Sequence, residues 1–114
     1  MKIDWTARGT SIDSALRNKI EQHLGKIERF LQGDESAHVV VKKEGDGPFE
    51  RHTVEIILRH RLGTFTAKQE APDPSDAVRD VLRRLDSQTR KAHDKLVERR
   101  RHATSDISEP VEAS

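Results

Sequence analysis

The chain has 114 residues, 36% of them charged and 32% hydrophobic, with no cysteine and a formal net charge of +1. That length suits one domain with a modest core, and the scarcity of apolar side chains favours two layers over elements buried on both faces. Without cysteine there is neither a disulfide framework nor a thiolate zinc site, and no apolar run resembles a signal peptide or spans a membrane, so a cytoplasmic protein is expected.

Elements follow in chain order. Ile3, Trp5 and Ala7 alternate with Lys2, Asp4, Thr6 and Arg8, the period of a strand with one buried face. Ile12, Leu16, Ile20, Leu24, Ile27 and Leu31 then fall three or four apart and predict a helix, with Thr10 or Asp13 as its cap and Gly33 as its stop; Gly25 weakens it. Three strands come next: Ala37, Val39 and Val41 share one face, His52, Val54, Ile56 and Leu58 another run, Phe65 and Ala67 the last. GDGP and HRLG are the turns between them. The opposite positions are polar apart from Val40 and Ile57, so one sheet face is expected to stay wet. DPSD opens the final helix, with Asp73 as cap, Pro74 at the first position and Asp76 near the positive end of the dipole. Its stripe is Ala77, Val78, Val81, Leu82, Leu85, Ala92 and Leu96, interrupted at Gln88 and Thr89.

The predicted fold is α+β: a two-layer βαβββα arrangement with a four-stranded sheet and two helices on one face. Residues 1–101 form the domain, and 102–114 are expected to be a short, acidic, disordered tail: they hold Asp106, Glu109 and Glu112 and no lysine or arginine. Without those three charges the body moves from +1 to +4. A basic body favours a polyanionic partner.

Residues 75–102 carry nine of the arginines and lysines, and they are sorted. At about 100° per residue, Arg84, Gln88, Lys91 and Lys95 form one row beside the apolar stripe. Arg79, Arg83 and Arg90 form a second row on the other flank. A helix that is merely solvated mixes its signs, often as i, i+4 pairs. On the first helix Lys19 and Lys26 share a flank, with Arg29 near them. The pattern alone divides evenly between a solubilising surface and a phosphate-binding one.

Other sites carry less. The six histidines lack metal-ligand spacing, so no metal is expected. His60, between Arg59 and Arg61 at a hairpin tip, reads as an exposed loop residue or an RNA contact, and Trp5 as core rather than a stacking platform. EGDGPFE lacks the lysine and helix of a phosphate loop. No nucleophile elbow or distinctive carboxylate pair is present, so the chain does not read as an enzyme and no cofactor is expected.

ALRNKIEQHLGKIERF, HVVVKKE and DPSDAVRDVLRRLDSQTRKAHDKL occur in an order that resembles the ribosome hibernation factors, the bacterial family that includes the hibernation promoting factor and the ribosome-associated inhibitor. The resemblance runs from residue 1 to about 96. Asp73, Ala77, Val78, Leu85, Gln88, Lys91, Lys95 and Leu96 match its last motif, and Arg84 stands where lysine is usual. Ser75, Ser87 and Thr89 depart from its usual tyrosine, arginine and leucine. The resemblance implies a translation inhibitor that occupies the decoding region of the small ribosomal subunit and blocks messenger and transfer RNA. Its partners would be that subunit, its ribosomal RNA and the assembled ribosome, with no membrane and a monomer off the ribosome. Lys26, Arg29, Arg84, Gln88, Lys91 and Lys95 would make the RNA contacts. The alternative is a double-stranded RNA or other nucleic-acid binding module with no preference for ribosomes.

Overall fold

The structure, a computed structural model, describes residues 1–32 and 35–113, with side chains described as far as Arg99. Its elements are β1 (Lys2–Arg8), α1 (Ser14–Leu31), β2 (Glu35–Glu44), a single 3-10 turn (Gly47–Phe49), β3 (Arg51–His60), β4 (Gly63–Ala71) and α2 (Pro74–Ala113). This is the expected α+β order, βαβββα. The side chains of the expected tail, 102–114, lie outside the described residues.

The sheet order is β1-β2-β3-β4. β1 runs parallel to β2, which requires a crossover, and α1 supplies it; the other pairs are antiparallel and joined by short turns. The register sets Ala37 opposite Leu58, Val39 opposite Ile56 and Val41 opposite Val54. β4 then sets Phe65 beside Leu58 and Ala67 beside Ile56. Because side chains alternate along a strand, these residues share one face, and they form a single core with Ile20, Leu24, Ile27 and Leu31 of α1 and Val78, Val81, Leu82 and Leu85 of α2. Both helices therefore cover the same side of the sheet. Ile3 and Trp5 pack at its edge, and the Arg17 guanidinium lies 4.8 Å from the Trp5 ring centroid, a cation–π contact.

Asp13 caps α1, its Oδ1 accepting from Ala15 N at 2.7 Å, and Asp73 does the same for α2 from Ser75 N at 2.8 Å. Gly33 lies outside the described residues; α1 ends at Leu31, and Gln32 takes a positive φ of 57° while its N–H reaches Glu28 O. Between β2 and β3 the backbone at Gly45 has φ 81°, and a Cβ there would run into the Phe49 carbonyl. Gly25 is different. It is helical, with open space where a Cβ would go, so Gly25→Ala is expected to raise stability by roughly 0.5–1 kcal/mol, read as a higher urea midpoint at unchanged slope.

Ala7, expected on the buried face of β1, is exposed near the end of that edge strand, and two polar residues differ in the opposite sense. Thr89 continues the α2 stripe instead of interrupting it: it is 2% exposed, and its hydroxyl donates to Leu85 O at 2.8 Å. A hydroxyl that finds the carbonyl four residues back can be buried without an orphaned donor. His60 is not an exposed tip residue. It closes β3 with a side chain wholly buried, because its position shares the inward face with Leu58 and Ile56.

Candidate nucleic-acid interface

α2 is held by its stripe over β3 and β4, which turns its two flanks in opposite directions. Gln88 fixes one of them: its Nε2 donates to Thr66 O on the edge strand β4 at 2.8 Å. Lys91, Lys95 and Arg99 stand along the same flank over a groove of ≈ 410 Å³ whose apolar floor includes Leu62, Phe65 and Leu96. Arg84 is exposed one turn before Gln88 on that row. The other flank faces α1, where Asp86 accepts from His23 Nε2 at 2.8 Å and bridges the helices. Lys26 of α1 and Arg90 of α2 line the shallow groove beside that bridge.

The six residues expected from the sequence therefore do not form one patch. Gln88, Lys91 and Lys95 lie together at the β4 side of α2, with Arg84 one turn earlier on the same row, whereas Lys26 lies across α2 from them, next to Arg90. Arg29 is exposed in the last turn of α1, rotated about 60° from Lys26 toward the outermost line of the helix. Gln88 also has a structural task that no sequence signal announced. It covers a carbonyl on an edge strand, a group that would otherwise face solvent or another chain.

Charge pairing divides the cations further. Arg79 is bracketed by Asp76 at 3.4 Å and Asp80 at 3.5 Å, and elsewhere Lys43 meets Glu50 and Arg51 meets Glu70. The Glu50 pairing holds the Lys43 ammonium above its ordinary range and the Glu50 carboxyl below its own. Among the described residues Arg84, Lys91, Lys95, Lys26 and Arg90 have no such carboxylate. Two helix flanks with unneutralised cations can neutralise phosphates and fix a register on a polyanion without reading bases.

Beneath the far end of the helices lies a buried acid, Glu35. Among the described residues neither carboxyl oxygen of Glu35 has a hydrogen-bond partner, and Oε1 is 3.7 Å from His60 Nε2. Leu62 N donates to His60 Nδ1 at 3.0 Å, which leaves the ring proton on Nε2, aimed at Gln32 O at 3.1 Å. Burial pushes the Glu35 carboxyl above its ordinary range; His60 works against that rise, and Glu28 adds to it. A raised carboxyl in the folded state favours folding when protonated, and that contribution is lost as pH rises from the unfolded value through the folded one. Glu35→Gln, which cannot ionise, is accordingly expected to raise stability by about 1 kcal/mol at pH 8 and to leave it nearly unchanged at pH 4, measured by urea denaturation at both values.

A βαβββα domain whose two helix flanks carry cations without carboxylate partners among the described residues has a surface chemistry suited to phosphate. The chain belongs to the Sigma 54 modulation protein / S30EA ribosomal protein family, which it matches over residues 3–97. It is similar to the N-terminal domain of Thermus thermophilus Protein Y, with 25% identity and a TM-score of 0.69 over 80% of this chain and 98% of that one. The fold is also shared with a ribosomal subunit interface protein from Coxiella burnetii, at 23% identity and a TM-score of 0.66 over 82% of this chain and 99% of that one. No curated protein matches the sequence significantly. Among the described residues no helix is long and apolar enough to cross a membrane.

Proposed function

We propose that this protein is a ribosome hibernation factor. It binds the small subunit in the decoding region through its helix flanks and keeps messenger and transfer RNA out by occupancy, with no reaction. The observation that carries this reading is the row Arg84, Lys91 and Lys95, exposed on the β4 flank of α2 and without carboxylate partners among the described residues, in a chain of the S30EA ribosomal protein family. Ribosomal RNA offers dense phosphate at that spacing, and release of its counterions drives association. In this reading Gln88 holds the row against the sheet, and Lys26 and Arg29 contact RNA from the other side of α2.

The test is cosedimentation with purified small subunits, with and without bound messenger and transfer RNA, beside a naked RNA duplex. The protein is expected to pellet with vacant subunits and to be displaced when both RNAs are present. Equal retention on the duplex, or indifference to the bound RNAs, would instead support a general double-stranded RNA binder.

A further inference from the structure

We infer that Phe30 is a stacking platform for an unpaired base of the RNA, a deepening that rests on the ribosome-binding reading above. Among the described residues Met1, Phe30 and Phe49 are the large apolar side chains that stay exposed. Phe49 sits in a turn with Glu44, Asp46 and Glu50 around it in sequence, a poor setting for phosphate. Phe30 is the opposite case. It is 42% exposed at the end of α1, and its ring is backed by His93 of α2, with centroids 4.4 Å apart and planes tilted by 40°. It also borders two concavities: the groove between the helices, which contains Lys26 and Arg90, and the hollow under the β3–β4 turn, which contains Arg61.

An aromatic ring fixed from behind by a second ring has an open face for a third. Cations on both sides of it are placed for the phosphates that flank an inserted base. Asp86 also lines the first groove, where it accepts from His23 Nε2, and the two cations Lys26 and Arg90 of that groove outnumber its single charge. Unpaired bases in RNA loops are recognised by such stacking, which is tolerant of base identity and insensitive to salt, unlike the phosphate contacts. The ring thus supplies the part of the affinity that the cations do not.

Phe30→Leu keeps apolar volume and removes the ring; Phe30→Trp enlarges it. With the wild type binding small subunits, Phe30→Leu is expected to weaken association roughly 5- to 50-fold at an unchanged slope of log affinity against log salt, with Phe30→Trp binding at least as tightly as wild type. Wild-type affinity in Phe30→Leu, or a loss that appears as a shallower salt slope, overturns the platform and leaves the ribosome-binding reading in place. If the wild type does not bind small subunits, that reading has failed, and the platform is judged separately. A Trp5→Phe, Phe30→Trp protein then has its single tryptophan at the platform and is titrated with oligoadenylate. Fluorescence quenching that follows the oligonucleotide supports stacking; no quenching, or quenching by polyglutamate instead, overturns it.

Discussion

Replacing Arg84, Lys91 and Lys95 together by glutamine is expected to weaken binding to the small subunit about 100-fold or more at 0.1 M salt while leaving the melting temperature close to wild type. All three side chains are exposed and none holds an ion pair among the described residues, so the fold does not depend on their charge. Removing one lysine– or arginine–phosphate interaction should lower the magnitude of the salt slope by about 0.7–0.9, so the slope falls by roughly 2 to 3 for the triple. Lys42, Arg59 and Lys68 provide the comparison. They lie on the opposite face of the sheet, alternating with the buried Val41, Leu58 and Ala67, and their replacement removes the same charge. A docking face would make the helix triple far more damaging than the sheet triple. Equal losses would show that net charge alone attracts the protein, and the assignment of the helix row would fall. Arg79, Arg83 and Arg90 are a less clean comparison, because Arg90 shares a groove with Lys26.

The second large effect concerns the stripe that sets the direction of those flanks. Leu85 is 0% exposed in the packed part of α2, one turn before Thr89 on the same buried stripe. Leu85→Ala is expected to cost about 3 kcal/mol, because it removes buried methyl groups and leaves a void that rigid neighbours fill only partly. A domain of this size holds roughly 5–15 kcal/mol in total, so the loss should lower the melting temperature by about 12–24 °C. A loss under about 1 kcal/mol would mean that α2 shifts to refill the space. In that event Gln88 would be expected to release Thr66, and amide exchange along β4 would report it.

Much of this architecture is written in local spacing. The inward set Val39, Ile56 and Leu58 is visible because alternation survives in a sheet with one buried face, and Asp13 and Asp73 are visible because a capping carboxylate acts on amides two residues away. Thr89 and His60 were misleading for a common reason. Polarity in a sequence predicts exposure only when no partner is available, and each has one: Leu85 O four residues back for Thr89, Gln32 O and Leu62 N for His60.

The candidate site divides along the same line. Two rows of cations on either side of an apolar stripe are legible in α2 from spacing alone, since helical geometry fixes angles within one element. The order βαβββα is legible too, through periods and caps that need no distant contact. What each flank faces is set by long-range packing. Packing over β3 and β4 turns Arg84, Lys91 and Lys95 toward the edge of the sheet and Arg90 toward Lys26, and it brings Phe30 against His93 across 63 residues of chain. No local pattern encodes these pairings, because they arise when two helices bury their stripes on one shared sheet face and their remaining surfaces take whatever orientation that burial leaves.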